Sequence, residues 1–188
     1  MTSQPGPPDQ PVVVVFTGLP GTGKSTMADR TAIQLGAPAF SGDWLMGSLK
    51  PAAAQLTQLD RDAYSRMYHS LLGGLMTRQL LLGQSAVLDC LVTEAVVDEW
   101  RSTAIAHGAE LRIVECVCSD TAVHRSRVEG RVRGIPGWHE IDWPHVERMR
   151  GEFPALTGER LTLDAVATVD RNFRRVCAYL DPGNRSER

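Results

Sequence analysis

The chain has no uninterrupted apolar run approaching the ~20 residues that a membrane-spanning helix requires, so a soluble protein is expected. It has only four cysteines. Two of them, Cys116 and Cys118, lie two apart in an apolar stretch, and there is neither a C-x-x-C pair nor a His/Cys cluster. A zinc or redox centre built from such residues is excluded, and buried free thiols are expected. Charge of one sign is lacking as well: 20 Lys+Arg against 22 Asp+Glu leave a net charge of −2. Proteins that hold a long polyanion usually carry a clear basic excess or face. The first residues are polar and proline-rich, without the basic-then-apolar order of a secretory signal. A disordered tail over 1–10 and a cytoplasmic location, in keeping with the thiols, are expected.

What is present suffices for one folded unit. The 188 residues, 43% of them hydrophobic, match a single domain of roughly 100–200 residues. No repeat or linker interrupts them, so 11–180 is expected to form one domain, followed by a polar tail over 181–188.

Val12–Phe16 is a continuous β-branched and aromatic run, as in a strand buried on both faces of a parallel sheet. A glycine-rich loop follows, then helical spacing of Met27, Ala28, Ala32, Ile33 and Leu35 over Ser25–Leu35, with Gly36 placed as a C-cap. Further strands are predicted at Ala37–Ser41, Ser85–Leu91, Leu111–Cys118 and Leu161–Val166. Helices are predicted near Trp44–Leu49, over Asp60–Leu82, from a Thr93 cap to about His107, after Ser119 or Asp120, from Asp142 to about Glu152, and over Val169–Leu180. Gly134, Pro136 and Gly137 break the pattern between two of these. Strands alternating with helices imply an α/β fold with a parallel sheet covered on both faces.

The loop Gly18-Leu19-Pro20-Gly21-Thr22-Gly23-Lys24-Ser25 fits G-x-x-x-x-G-K-[ST] in the required context, after a strand and before a helix. Its glycines let backbone N–H groups converge on phosphate oxygens, and the positive end of the following helix adds to the attraction. Lys24 is placed to reach the β- and γ-phosphates, and Ser25 to ligate Mg²⁺. Thr26 serves either the loop or the helix surface. There is no guanine-reading N-K-x-D, so ATP with Mg²⁺ is the expected donor.

Two aspartates end predicted strands, where a doubly wound sheet presents residues to its ligand. Asp89 closes Ala86-Val87-Leu88 in the manner of a Walker-B carboxylate and suits a metal held through water. Asp43 suits a base that accepts the proton of an attacking hydroxyl. The two roles are exchangeable, and either residue also suits a helix cap. A third group is basic: Arg125, Arg127, Arg131 and Arg133. Arg127 and Arg131, spaced i,i+4, would share a helix face, and with Arg133 beside the Gly/Pro break they have the form of a lid over phosphates. Trp138 and His139 on that segment suit stacking on adenine or contact with substrate. His69, His107, His124 and His145 show no ligand-like spacing and are expected to be structural.

T-G-L-P-G-T-G-K-S-T at 17–26, S-G-D at 41–43, V-L-D at 87–89 and R-V-x-x-R at 127–131 resemble the P-loop kinases of the AAA-type ATP-binding group. That group includes zeta-toxins, chloramphenicol phosphotransferase, bacterial gluconate kinases and the kinase domain of bacteriophage polynucleotide kinase. The resemblance implies a five-stranded parallel sheet in the order 2-3-1-4-5, Asp43 as base, and Arg127 and Arg131 on the phosphates. The chain lacks the D-x-D and G-G-x-G-x-R segments of shikimate kinases, so their substrate does not carry over. The expected activity is ATP-dependent phosphorylation of a small-molecule hydroxyl, on a sugar, nucleoside or antibiotic-like compound. Trp44, Leu45, Met46 and the stretch Asp60–Tyr68 would line the acceptor side. A 5′-hydroxyl polynucleotide kinase, disfavoured by the mild acidity, and a non-catalytic ATP-binding regulatory or toxin-like module are the alternatives. Nucleic acid is thus the weaker partner, no membrane is expected, and oligomeric state is left open.

Overall fold

The structure, a computed structural model, describes residues 10–153 and 156–181. Of the expected tails at 1–10 and 181–188, residues 1–9 and 182–188 lie outside the described residues. Strand β1 (Val12–Thr17) is buried along its whole length. It sends Val13 and Val15 to one face of the sheet and Val12, Val14 and Phe16 to the other, as the two-residue period of a strand requires. Around it the parallel sheet runs β2-β3-β1-β4-β5, the order implied by the resemblance, with β2 at Ala39–Ser41, β3 at Ala86–Asp89, β4 at Glu110–Val117 and β5 at Leu161–Asp164.

Helix α1 (Lys24–Leu35) follows β1 and ends at Gly36, whose left-handed φ of 60° closes the helix. Its buried stripe is Lys24, Met27, Ala28, Thr31 and Ala32. Ile33, expected among the apolar positions, is 82% exposed, because it lies about 100° round the helix from Ala32. Helices α2 (Gly42–Ser48) and α3 (Ala53–Leu56) flank a 3₁₀ turn at Lys50–Ala52 and lead to the long α4 (Arg61–Leu81), whose first turn Asp60 caps through Ala63 N–H. Helix α5 (Glu94–Ala106) joins β3 to β4. Helix α6 (Thr121–Glu129), capped by Asp120, and α7 (Trp143–Glu152), capped by Asp142, are joined by the glycine-bearing segment 130–142. Helix α8 (Val169–Leu180) begins and ends where expected.

One face of the sheet packs Leu72, Met76 and Leu80 of α4 and Val97, Trp100 and Ala104 of α5 against Val13, Val15 and Leu88. The other packs Met27, Ala28 and Ala32 of α1 and Val176 of α8 against Val14, Phe16 and Leu163. Three cysteines, Cys90, Cys116 and Cys118, are buried as expected. Cys177, on α8, is exposed. No described helix is long and apolar enough to cross a membrane.

Two glycines of α2 fix its neighbours. A Cβ at Gly42 would collide with the Tyr68 ring of α4, and one at Gly47 would collide with the Pro136 carbonyl oxygen. Gly137 in turn has no room for a Cβ against the Gly47 carbonyl, and its φ is 77°. Helix α2 and the segment 130–142 therefore meet backbone to backbone. Gly47→Ala is expected to push them apart, since overpacking costs about 1–3 kcal/mol and backbone cannot turn aside as a side chain does. Hydrogen exchange should show faster amide exchange in α2 and 130–142, while the amides of β1 keep their protection.

Candidate active site

The carboxyl ends of the strands turn into the segments that form the candidate site, the usual place for a ligand in open parallel sheets. After β1 the chain curls over β4. Gly18, with φ 133°, passes so close to the Cys116 carbonyl oxygen that any Cβ would clash. Gly21 and Gly23 also have positive φ, at 88° and 81°, and Gly23 precedes α1. Pro20 is buried, and the Thr22 hydroxyl donates to the Leu19 carbonyl at 2.8 Å, closing the loop on itself. Lys24 opens α1 and is only 9% exposed. Ser25 is half-buried, and Thr26 is exposed on the helix surface.

The loop has a support that sequence inspection missed. His124 of α6 is 1% exposed, and its Nε2 lies 2.7 Å from the Pro20 carbonyl oxygen. A carbonyl only accepts, so Nε2 carries the proton. The bare Nδ1 is then free to accept from Arg150 Nη2 of α7 at 3.3 Å. The ring stands edge-on to Trp143 with centroids 5.2 Å apart, and Val128 lies directly beneath Gly21. Ligand-like spacing was the wrong signal. The informative one was a histidine four residues before a valine on the helix that follows the fourth strand, a pattern too common to single out.

Asp89 ends β3 opposite Phe16 of β1 and Ser41 of β2. It is buried, and its Oδ1 has no hydrogen-bond partner. Asp43, expected to end the second strand or to cap the following helix, instead sits at the second position of α2, where it adds negative charge to the helix start. Ser41 occupies the cap position instead, without a side-chain bond. Asp43 Oδ2 accepts from Arg133 Nη1, ninety residues away, in an ion pair whose members are 25% and 16% exposed.

The arginines are not arranged as the spacing suggested. Helix α6 ends at Glu129, so Arg131 lies outside it and shares no helical face with Arg127. The reason is local: Gly130 caps the helix and weakens its continuation. Arg127 remains exposed on α6. Arg131 is half-buried and feels the charges of Arg133, Asp43 and Asp89. Burial, then the Arg133 charge, push its pKa down. Nε and Nη2 of both Arg131 and Arg133 are buried without a hydrogen-bond partner. Two guanidinium groups with idle donors beside two carboxylates suit an incoming polyanion.

A cavity of about 550 Å³ opens between α4, the end of β3 and α7. Lys24, Asp43 and Asp89 reach it from one side, and Tyr64, Trp138 and Phe153 are among its walls. Of the stretch Asp60–Tyr68, Arg61, Asp62, Tyr64, Ser65 and Tyr68 line it. Trp44, Leu45 and Met46 do not: Trp44 is 54% exposed, Met46 is buried in the interior, and Leu45 packs on the core. Trp138 and His139 line this cavity together with Asp43. His69 and His145, expected to be structural, also line this cavity, and His69 Nε2 lies 2.9 Å from the Leu91 carbonyl oxygen. Burial raises the Cys90 thiol pKa well above its usual range and pushes that of Cys116 up to about 12, so both thiols stay protonated.

A family model for an AAA domain matches residues 13–156. The chain belongs to that family. Among solved structures it is similar to a gluconokinase from Sinorhizobium meliloti 1021, at 19% identity over 89% of this chain and 90% of that one, with a TM-score of 0.66. It is also similar to a sugar kinase from Janibacter sp. HTCC2649, at 18% identity over 93% and 96%, with a TM-score of 0.69. An APS kinase from Mycobacterium tuberculosis, solved with AMPPNP and APS, aligns at 19% identity over 92% and 99%, with a TM-score of 0.58. No curated protein matches the chain in sequence. These likenesses show that this AAA domain has the P-loop kinase fold.

His124 gives this AAA domain a pH dependence. Burial lowers the pKa of the ring from its usual 6.5, with Arg150, Arg127 and Arg131 adding to the effect and the Pro20 bond opposing it. Between the lowered value and 6.5 the unfolded chain binds more protons than the folded one, so stability rises with pH there. The contribution is complete above pH ~6.5 and is lost as pH falls toward the lowered value. His124→Gln keeps a donor for Pro20 but does not titrate, and should flatten this part of the stability–pH curve. His124→Ala orphans the carbonyl and should cost about 1–3 kcal/mol, measured by denaturant unfolding. An unchanged slope in the Gln variant would assign the pH dependence to another group.

Proposed function

We propose that the protein transfers the γ-phosphoryl group of ATP to a hydroxyl of a small molecule bound in the cavity beside Asp43. The observation that carries this is the meeting of Lys24, Asp43 and Asp89 in one cavity at the open side of the P-loop. A motif for the donor, a carboxylate for the acceptor and a space between them are what a kinase of this fold needs. The similar gluconokinase and sugar kinase act on small hydroxyl compounds by name, and the similar APS kinase was solved with an ATP analogue. With ATP as donor, the reaction belongs in the cytoplasm.

In this assignment the amides of Gly21, Thr22 and Gly23 and the start of α1 hold the phosphates, with Gly18 and Pro20 shaping the loop and Thr26 flanking it. Lys24 neutralises the β- and γ-phosphates. Asp89 and Ser25 fit Mg²⁺: Asp89 offers a buried oxygen without a partner, and both are hard oxygen donors. Among the described residues no three His, Cys, Asp or Glu side chains cluster as a metal site of their own, so the ion would arrive with the nucleotide. When bound it would offset charge on the β- and γ-oxygens. The acceptor oxygen attacks the γ-phosphorus, the bond to the β-phosphate bridging oxygen breaks, and ADP leaves with that electron pair. Asp43 takes the hydroxyl proton. Arg127, Arg131 and Arg133 stabilise the charge on the transferred group, Arg133 by exchanging Asp43 for a phosphate oxygen.

Asp43 is thus both base and tether, and two variants separate the roles. Purified protein would be incubated with ATP and sugars, nucleosides, antibiotics and 5′-hydroxyl oligonucleotides, following ADP release. Asp43→Asn should lower kcat on the best acceptor by about 10²–10⁴-fold with ATP binding retained. Arg133→Gln frees Asp43 but removes a phosphate donor, and should chiefly raise KM for ATP. If both variants showed the same defect, Asp43 would be only the tether. If no compound elicited transfer while ATP still bound, the kinase assignment would fall.

A further inference from the structure

The cavity beside Asp43 carries a charge pattern and a set of rings that together select its occupant. Four carboxylates line it, Asp43, Asp62, Asp89 and Glu152, against two cations, Lys24 and Arg61. Both cations are engaged: Lys24 belongs to the P-loop, and Arg61 pairs with Glu152 at 3.1 Å across the gap between α4 and α7. Arg133 pairs with Asp43, which leaves Asp62 and Asp89, of the four carboxylates, without an ion pair among the described residues. Asp62 is exposed in the first turn of α4, and no ion pair offsets it. Among the lining residues, an acceptor entering past α4 and α7 therefore meets negative charge and no idle Lys or Arg of those helices. The apolar part of the wall is made of rings, with Tyr64, Trp138, His139 and Phe153 on it. Trp138 and His139 lie with ring centroids 4.8 Å apart and planes inclined at 37°, and the buried Trp138 Nε1 has no acceptor.

We propose that the acceptor is an uncharged or cationic alcohol bearing a flat ring, and that sugar acids, phosphorylated alcohols and the ends of nucleic acid strands are poor acceptors; this rests on the kinase assignment above for the step of transfer, but not for binding. A flat ring fills an aromatic-walled cavity of about 550 Å³, within the range usual for small-molecule sites. Its polar edge would supply the acceptor that Trp138 Nε1 lacks. An anionic group would be drawn away from the acidic mouth to the buried idle guanidinium donors of Arg131 and Arg133, where it would compete with the donor phosphates. A strand end fails for the same reason, because the phosphate after its first nucleoside would lie at the mouth beside Asp62, where Arg61 is already held by Glu152. A cation is favoured there instead.

The test uses compounds that keep the ring and change the charge. 2-Amino-1-phenylethanol, 1-phenyl-1,2-ethanediol and mandelate carry positive, zero and negative charge on one phenyl alcohol, and thymidine and thymidine 3′-monophosphate form a second pair. D-Glucose and D-gluconate serve as ringless-wall controls without an aromatic group. Binding to the full chain with a non-hydrolysable ATP analogue present would be measured by calorimetry, and transfer by ADP release with ATP. The positive and neutral phenyl alcohols should bind at least about tenfold more tightly than mandelate, a difference of about 1.4 kcal/mol, and thymidine should bind more tightly than its 3′-phosphate. Asp62→Lys, at an exposed helix position where folding is easily checked by thermal unfolding, should narrow both ratios. Trp138→Ala should weaken the phenyl compounds and thymidine and leave glucose unchanged. Charge-ranked binding without ADP release would retain the acceptor class and remove the kinase assignment. Transfer to gluconate, mandelate or thymidine 3′-monophosphate in preference to the neutral compounds would retain the kinase and overturn the acceptor class. Failure of every ring alcohol to bind at millimolar concentration would overturn it too.

Discussion

A loop that aims its N–H groups inward at a phosphate must turn its carbonyl groups outward, and buried carbonyls need donors. The structure depends on how this is met. The Leu19 carbonyl accepts from the Thr22 hydroxyl within the loop. The Pro20 carbonyl cannot be served from within and accepts from His124, on a helix more than a hundred residues later. That one bond draws α6 under the P-loop, with Val128 beneath Gly21. Through Arg150 and Trp143, packed on the other sides of the imidazole, it brings α7 as well. The support is apolar on its far side, where Val128, Ile141, Trp143 and Val146 form a small core of their own with Leu19 against it.

Once α6 and α7 are fixed, the segment between them has to cross the mouth of the site. It is held there by two contacts of different kind. Gly47 and Gly137 set the distance by letting two backbones touch. Arg133 and Asp43 set the register by charge. A partly buried ion pair gains little net stability, because desolvation offsets most of the attraction. Idle buried guanidinium donors on Arg131 and Arg133 are a further cost. These costs accumulate on the segment facing the P-loop and not in the core, as expected where polar groups are arranged for a ligand and not for the fold.

Much of this order was legible in the sequence because it is local. Val12–Thr17 is buried on both faces and reads as such, and the other strands and helices were expected to within a few residues, apart from α3 and the 3₁₀ turn before it. The P-loop was legible because backbone geometry demands glycine at set positions. The departures are those where a distant element decides. Ile33 has helical spacing, yet nothing covers it. Trp44 looked like a lining residue, but Gly42 docks on Tyr68 and turns α2 so that Trp44 faces out. Arg131 kept the right spacing from Arg127, but Gly130 ends the helix between them. His124 was unrecognisable because its partner, the Pro20 carbonyl, belongs to the backbone and leaves no mark in the residue pattern.

The two halves of the site differ for the same reason. The donor half is made by about eight consecutive residues whose task is set by phosphate geometry, so a motif can describe it. The proposed acceptor half, the cavity, is assembled from α4, the end of β3, the segment 130–142 and α7, and has at its rim the Arg61–Glu152 pair that joins residues ninety-one apart. No short pattern spans that distance. Each of those elements can change its side chains without disturbing β1 or the loop, because the sheet core and the His124 support lie elsewhere. A fold so divided keeps one donor while its acceptor wall varies. The solved structures similar to this AAA domain fit that division: gluconokinase, sugar kinase and APS kinase differ in name by their acceptors and share a fold with one another through this chain. In the proposed kinase the acceptor is therefore selected by the ring-lined, acidic wall and not by the P-loop.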